Sequence, residues 1–284
     1  MRTIVQSSTR TVAIGEGAPF CIIGERINPT GRTRLQAQLQ AGDLSQLEAD
    51  VAEQVAGGAD MLDVNVGARL VDEAGLMCRV VPFVQARCDL PLCIDSSIVE
   101  ALHAGLASYD GKALVNAVTG EDDRLEAVLP AVARHGAAVI ALCCDDRVSM
   151  DPERRLAIAR KIVGAAADHG IPPEDILVDP LALPVRTTPG AVTCFLETLR
   201  LLRNELGVNT TCGASNTSFG TPGRQSLGAA FLVAAASHGL TSAIMDARSS
   251  QTVDAVRATD VLLDRDERAA AWTAHCRARR TGRA

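Results

Sequence analysis

The residues of this chain that could do chemistry are carboxylates and carboxamides that follow short apolar segments. Each segment is rich in Val, Ile, Leu or Cys, and an acid or an amide stands at its end or directly after it. These side chains are Glu25, Asn28, Asp63, Asn65, Asp95, Asn116, Asp145, Asp146, Asp179, Asn216 and Asp246. Asp and Asn also cap the first turns of helices, so each of them taken singly has an ordinary structural explanation. The repetition along the whole chain instead indicates one shared polar site.

Two kinds of ligand would fit a ring of carboxylates and amides. A divalent cation prefers oxygen ligands. A polar heterocycle such as a pterin presents an amino group and a ring N–H side by side, and one carboxylate accepts both. No histidine stands at the end of any of these segments, which disfavours a zinc or iron site. The residues by themselves leave the cation and the heterocycle about equally favoured.

Strands and helices in alternation would bring these side chains together. The predicted strands are residues 20–24, 61–65, 92–95, 113–116, 138–143, 176–179, 209–213 and 242–245. Helical spacing follows them at residues 44–55, 71–87, a segment ending near 105, then 122–135, 152–169, 191–206, 225–238 and 252–263. Strands this apolar are typical of a parallel sheet covered by helices.

Eight such units in 284 residues fit a closed (β/α)8 barrel, the TIM barrel. The alternative is an open, doubly wound sheet, which usually has fewer strands and a G-x-G-x-x-G turn that this sequence lacks. We therefore predict the barrel. The strands of a barrel end at one face, where the acids and amides would meet.

We predict a single domain over residues 1–284, because no segment has the composition of a linker. Residues 1–18 are polar and irregular in pattern and are predicted to be an N-terminal extension that caps the first unit. Residues 264–284 are predicted to be a C-terminal tail. Its basic charge lies in Arg277, Arg279, Arg280 and Arg283, and we expect it to be disordered.

Composition narrows the class of protein. A formal net charge of −6 and a pI near 5.4 argue against nucleic acid as the main partner. The nine cysteines lack Cys-x-x-Cys spacing, and most lie in apolar segments, as buried thiols of a reducing compartment do. The sequence shows no signal-like N-terminus and no apolar run of membrane-spanning length. These features predict a cytoplasmic protein without a membrane contact.

Five segments resemble the motifs of the pterin-binding methyltransferases, in matching order and spacing between about residues 20 and 263. The segments are Gly24-Glu-Arg-Ile-Asn-Pro-Thr-Gly31, Leu62-Asp-Val-Asn-Val-Gly67, Leu92-Cys-Ile-Asp-Ser96, Val178-Asp-Pro-Leu181 and Ser215-Asn-Thr-Ser-Phe219. The chain is similar to methyltetrahydrofolate:corrinoid protein methyltransferases and to the folate-binding domain of cobalamin-dependent methionine synthase. The resemblance implies a barrel like that of dihydropteroate synthase, usually a homodimer, that binds tetrahydrofolate or 5-methyltetrahydrofolate.

The resemblance also implies how the pterin ring would be held. Asp95, Asn116 and Asp179 match the positions that hydrogen-bond to the ring. Asp63 and Asn65 match the motif as well, as supports for those residues. No metal ligand is implied.

Around the reacting nitrogen, the resemblance assigns Asn216 to the position that contacts N5 of the folate. Moving a methyl group from N5 to a cobalt(I) nucleophile leaves a nitrogen anion, a very poor leaving group, so a donor at N5 lowers the barrier. An Asn cannot itself deliver the proton, and solvent or a wider hydrogen-bond network must do so. Asn28 and the loop to Thr30 would line the same pocket. Arg224 would lie towards the aminobenzoyl-glutamate part of the folate. The structural alternatives are a helix cap for Asn216 and an exposed helix-start residue for Arg224.

Two other functions would use a similar pocket. Dihydropteroate synthase requires a lysine after the seventh strand, but the only lysines here are Lys112 and Lys161. A non-catalytic folate-binding module would not need an amide at N5, which Asn216 supplies. Both functions are therefore less favoured than methyl transfer.

A zinc thiolate site is a further alternative, because Cys143 and Cys144 are adjacent at the end of the fifth strand. Zinc-dependent homocysteine methyltransferases place such a pair in a glycine-rich setting with another cysteine upstream. Ala-Leu precedes this pair and Asp-Asp-Arg follows it. Two packed thiols are the favoured interpretation.

The corrinoid would be carried by a separate protein. Corrinoid-binding domains contain Asp-x-His-x-x-Gly, and none of the five histidines here has an Asp two residues before it. A partner bearing cobalamin or a related corrinoid would dock over the mouth of the barrel. The sequence does not encode the direction of transfer, which in such enzymes serves either acetyl-CoA synthesis or the demethylation of methylated substrates.

Overall fold

The protein is described from a computed structural model, which covers residues 1–68 and 71–280. The strands are β1 (Arg2–Ser7), β2 (Thr11–Gly15), β3 (Cys21–Ile27), β4 (Met61–Asn65), β5 (Leu92–Asp95), β6 (Gly111–Lys112), β7 (Leu114–Val118), β8 (Ala138–Leu142), β9 (Ile176–Asp179), β10 (Asn209–Thr210) and β11 (Ser242–Met245). The helices are α1 (Thr33–Gln40), α2 (Ser45–Ala56), α3 (Glu73–Gln85), α4 (Val99–Ser108), α5 (Asp122–His135), α6 (Pro152–Asp168), α7 (Ala191–Glu205), α8 (Arg224–Ser237), α9 (Ser250–Leu262) and α10 (Ala270–Arg280).

Eight parallel strands form the predicted (β/α)8 barrel. Their order around the sheet is β3, β4, β5, β7, β8, β9 and β10, and β11 lies on the other side of β3. The barrel closes between β10 and β11 at one parallel bridge, which pairs Gly213 with Ile244. There the Ile244 N–H donates to the Cys212 carbonyl over 2.8 Å. The seventh strand is thus shorter than the predicted 209–213, and the prediction of a closed barrel is confirmed.

Alternating residues along the strands build two apolar layers. Ile22, Leu62 and Ile94 belong to the larger cluster, which also contains the buried faces of the helices. Their neighbours Ile23 and Cys93 belong to a smaller cluster, which takes side chains from one face of β3, β4, β5, β7, β8 and β9. A strand turns successive side chains to opposite faces, so the smaller cluster fills the barrel and the larger one seals it against the helices.

The N-terminal extension was predicted to be irregular, but it forms a β-hairpin. β1 and β2 pair antiparallel, with Thr3 opposite Ile14, and β1 also pairs with β6. Val5 and Ile14 are fully buried in the cluster that fills the barrel. The Asn209 amide on β10 donates to the Thr3 hydroxyl (2.9 Å) and to the Ile14 carbonyl (3.0 Å), which fixes the hairpin to the barrel. The hairpin therefore closes the end of the barrel at which the strands begin.

The C-terminal segment is also ordered, so the expectation of a disordered tail is wrong for most of it. α10 packs on α9, where the Asp254 carboxylate pairs with His275 Nε2 at 2.8 Å and with Arg279. The Asp266 carboxylate accepts the N–H of Trp272 at 2.8 Å, near the start of α10. Arg283 lies outside the described residues.

Two helix features complete the frame. Asp151 caps α6 as predicted, because its carboxylate accepts the Glu153 N–H at 3.0 Å. α1, in the loop after β3, was not predicted.

Within the described ranges, no helix combines the length and the apolar character needed to cross a lipid bilayer.

The hairpin yields a prediction about stability. Ile14→Ala would remove a fully buried side chain from the barrel core, and we expect it to lower the free energy of unfolding by about 2–5 kcal/mol. Thr11→Ala, on the exposed part of the same hairpin, should change it by no more than about 0.5 kcal/mol. Denaturant unfolding of both variants measures the difference. Equal losses would mean that the hairpin does not seal the barrel.

Candidate active site

A row of polar side chains crosses three neighbouring strands at their carboxyl ends. The parallel register places Asn65 of β4 opposite Asp95 of β5, and Asp95 opposite Asn116 of β7. Asp63 lies on the same face of β4, two residues earlier, and is 2% exposed. Asn116 Nδ2 donates to Asp63 Oδ1 over 3.2 Å. The structure therefore brings together four of the residues that the sequence analysis selected.

Two buried carboxyl groups in this row, those of Asp63 and Asp95, influence each other's ionisation. Burial, followed by the negative charge of Asp95, raises the pKa of Asp63 well above its ordinary value. Burial also raises the pKa of Asp95 to about 6, against hydrogen bonds that it accepts from Asn65 and Asp63. These directions favour a proton on Asp63 that is hydrogen-bonded to the carboxylate of Asp95.

Asp179 supplies a second acceptor, two strands further around the barrel at the end of β9. Its carboxylate accepts the N–H of Leu181 over 2.7 Å and also the N–H of Gly213. Burial raises the pKa of Asp179 to about 7, although these hydrogen bonds and the charge of Arg155 act in the opposite direction. Small changes in the surroundings of this carboxyl therefore decide whether it is charged at neutral pH.

Asn216 lies next to this acceptor, on a 3₁₀ turn (Ala214–Asn216) that follows the closure of the barrel. Its N–H donates to the Gly213 carbonyl at 3.1 Å, and its side chain is exposed at the barrel mouth. A Cβ atom on residue 213 would stand 2.9 Å from Asn216 Nδ2, so the carboxamide occupies space that only glycine leaves open. Because Gly213 also donates to Asp179, one short segment links the amide to the buried carboxylate.

Asn28 stands at the same face of the barrel, directly after β3. Its side chain is half-buried, and its Oδ1 accepts the Thr30 N–H at 2.9 Å. This hydrogen bond stabilises the turn that leads towards α1.

A cavity of about 260 Å³ opens beside Asn216, between the ends of β3 and β11 and the first turns of α8. Arg224 lines it; Nη2 of this exposed side chain donates to the Ser215 carbonyl over 3.1 Å, and its guanidinium lies 5.5 Å from the centre of the Phe219 ring. Glu25 lines the same cavity. Burial raises the pKa of Glu25, against a hydrogen bond from Ser215.

Two residues near the site had no predicted role. Glu25 was recognised only as one of the strand-end acids, although its burial beside Ser215 puts it in the cavity next to Asn216. Arg155, on α6, is the other: its positive charge acts on Asp179, and nothing in its sequence context distinguishes it from the exposed Arg154 before it.

The site as a whole offers hydrogen-bond acceptors of two kinds. Carboxyl groups at β5 and β9 alternate with the amides of β4 and β7, which both donate and accept. Such an arrangement suits a planar heterocycle with adjacent N–H donors and carbonyl acceptors. In residues 1–68 and 71–280, no group of three or more His, Cys, Asp or Glu side chains is arranged to hold a metal ion.

The chain is similar in sequence to a known methyltransferase. The sequence is 28% identical over 249 residues to the methylcorrinoid:tetrahydrofolate methyltransferase of Eubacterium limosum, an alignment that covers 86% of this chain and 92% of that protein.

Solved structures with a similar fold include two bacterial dihydropteroate synthases. The enzyme from Xanthomonas albilineans has a TM-score of 0.65 and that from Stenotrophomonas maltophilia a TM-score of 0.69, each at 21% identity. Both alignments cover 92% of this chain and 98% of the synthase.

The family model described as "Pterin binding enzyme" matches residues 24–246, a range that contains each of the strand-end acids and amides. The chain belongs to the family of pterin binding enzymes.

Proposed function

We propose that this protein transfers a methyl group between N5 of tetrahydrofolate and the cobalt of a corrinoid protein. The observation that carries the proposal is the position of Asn216, which stands at the mouth of a pterin-binding barrel and is linked through Gly213 to the buried carboxylate of Asp179. The similarity to a protein named methylcorrinoid:tetrahydrofolate methyltransferase supports the same reaction.

In this proposal, three side chains hold the pterin ring. The Asp95 and Asp179 carboxylates accept hydrogen bonds from the amino and ring N–H groups of the pterin, and the Asn116 amide completes the edge with a donor and an acceptor. Asp63 supports them, because it donates a hydrogen bond to Asp95 and one of its oxygens accepts from Asn116. Asn28 lines the same pocket, and Arg224 lies towards the aminobenzoyl-glutamate part of the folate.

At N5, the role of Asn216 is to stabilise the protonated nitrogen or the charge that develops on it. The turn fixes the backbone of Asn216, and its carboxamide lies close to Gly213. A donor already placed at N5 needs little reorganisation when the charge appears. The protein-bound corrinoid supplies or accepts the methyl group through its cobalt. The proton passes to or from N5 through solvent or through the hydrogen-bond network that includes Asp179.

The proposal includes a separate corrinoid protein that docks over the barrel mouth, where Phe219 is 63% exposed. It also includes a homodimer, which the resemblance of the sequence implies, and a cytoplasmic location, which its composition predicts.

Dihydropteroate synthase is less well supported, because neither lysine is at the barrel mouth beside Asn216. Lys112, on β6 beside the hairpin, pairs with Asp175 at 2.6 Å. Lys161, on α6, donates to the Gly120 carbonyl at 2.6 Å and pairs with Asp122.

The first test replaces Asn216, whose amide is proposed to contact N5 of the folate. Asn216→Ala should lower the rate of methyl transfer from 5-methyltetrahydrofolate to cobalt(I) cobalamin by about 10²–10³, because one preorganised donor is lost. The reaction is followed anaerobically through the cobalt absorption spectrum. Binding of 5-methyltetrahydrofolate should persist, since Asp95, Asn116 and Asp179 are unchanged.

Asn204→Ala is the matched control, because Asn204 is an exposed amide on α7. It should leave the rate unchanged. Wild-type protein that binds the folate but exchanges no methyl, even with a corrinoid protein present, would favour a non-catalytic folate-binding module instead.

The second test uses pH. The pKa of Asp179 is about 7 and that of Asp95 about 6, both above the ordinary value of 3.8. A protonated carboxyl cannot accept both N–H groups of the pterin, so the affinity for 5-methyltetrahydrofolate should be greatest above about pH 7 and fall as the pH drops through 7 and 6. Calorimetric titration from pH 5.5 to 8.5 measures this fall. Asp95→Asn should remove the lower step and keep the upper one, and an affinity independent of pH would contradict the assignment.

A further inference from the structure

Arg155 is the largest fully buried side chain of the described residues, with 0% exposure. A guanidinium so far from water is costly unless its N–H groups are satisfied. Arg155 Nε donates to the Ser149 carbonyl over 2.8 Å, and Nη1 donates to the carbonyls of Leu181 (3.2 Å) and Pro180. Every one of these acceptors is a backbone carbonyl in a loop at the barrel mouth.

The loop that Arg155 holds is the one that hydrogen-bonds Asp179. Leu181 has a left-handed backbone conformation, with a φ of 67°, which is unfavourable for a residue with a branched side chain. In this conformation, its N–H points to Asp179 Oδ1 over 2.7 Å. The Pro180 carbonyl lies on the opposite side of the same peptide group and accepts from Arg155, as does the Leu181 carbonyl. The guanidinium therefore fastens the far side of the peptide that orients the carboxylate.

The other titratable groups that face Asp179 are thiols. Burial raises the pKa of Cys144 to about 11, and it raises the pKa of Cys143 and Cys212 well above the ordinary value; in each case the charge of Asp179 adds to the effect. The three thiols are thus neutral at physiological pH. Among the groups that act on Asp179 in the described residues, Arg155 is the charged one.

We propose that Arg155 is a positioning residue for Asp179, since its guanidinium fixes the Leu181 peptide against the carboxylate and supplies the positive charge that keeps this buried carboxylate ionised. The inference rests on the proposed function only in assigning Asp179 to the pterin ring. It adds a reason why Asp179 is ionised when it accepts hydrogen bonds from the ligand.

The direct test is a titration of the ligand-free protein. Carbon-13 NMR of aspartate-labelled protein follows the carboxyl of Asp179, assigned through the signal that disappears in Asp179→Asn. Arg155→Gln removes the charge but keeps an amide donor for the loop carbonyls, and it should raise the midpoint of Asp179 by at least about one pH unit. Arg155→Lys keeps a positive charge and should leave the midpoint close to the wild-type value.

Binding of 5-methyltetrahydrofolate should follow the same pattern. The affinity of Arg155→Gln at pH 7 should be about fivefold weaker than that of wild type and should recover near pH 9, because the ionised fraction of Asp179 changes in that proportion. Arg160→Met is the matched control, because Arg160 is an exposed arginine of α6 that pairs with Glu205. It should change neither the midpoint nor the affinity.

An unchanged midpoint in Arg155→Gln would overturn the proposal. Loss of the folded state in both Arg155 variants, judged by circular dichroism, would also overturn it, because the side chain would then be needed for folding alone. If wild-type protein bound no 5-methyltetrahydrofolate at any pH, the proposed function would fail, while the NMR midpoint would still decide the role of Arg155.

Discussion

The parallel register of β4, β5 and β7 is the constraint on which the candidate site depends. Because side chains alternate along a strand, a slip of one residue would turn Asp95 and Asn116 towards the helices. That side is occupied by Ile94 and Val115, which are fully buried in the larger apolar cluster. A carboxylate placed there without partners would cost several kcal/mol. The packing that selects the fold therefore also aims the acids and amides into the barrel mouth.

Sequence predicted the barrel well because its strands are buried on both faces. The bounds of β5, β9 and β11 are those expected from the apolar runs. The N-terminal hairpin was missed because its order comes from contacts with the barrel interior, and its own alternation spans only a few residues. α10 was missed because ion pairs with Asp254, distant in sequence, stabilise it. Both elements depend on tertiary contacts, which the periodicity and composition of a sequence do not reveal.

Within the site, the polar residues at strand ends could be predicted, because all strands of a barrel end at the same face. Their burial and their hydrogen-bond partners could not be predicted. The burial of Asp63 and its hydrogen bond to Asp95 depend on the register between two strands. The burial of Arg155 depends on how α6 packs. Burial makes these acids harder to ionise in the folded chain than in the unfolded one, so raising the pH through about 6 and 7 costs folding free energy. Ligand N–H groups would offset that cost.

The way in which the barrel closes has a consequence for the placement of Asn216. β10 pairs with β9 at two residues and the sheet joins β11 through one bridge, whereas β11 and β3 pair at four residues. Side-chain hydrogen bonds strengthen this join, because the Thr210 N–H donates to the Thr241 hydroxyl at 2.9 Å, and the Thr241 and Ser242 hydroxyls donate to the Thr210 carbonyl at 2.7 and 3.0 Å. The turn that carries Asn216 begins at this join. The placement of Asn216 relative to the buried carboxylate of Asp179 therefore depends on two hydroxyl side chains, those of Thr241 and Ser242, and not on a continuous backbone ladder.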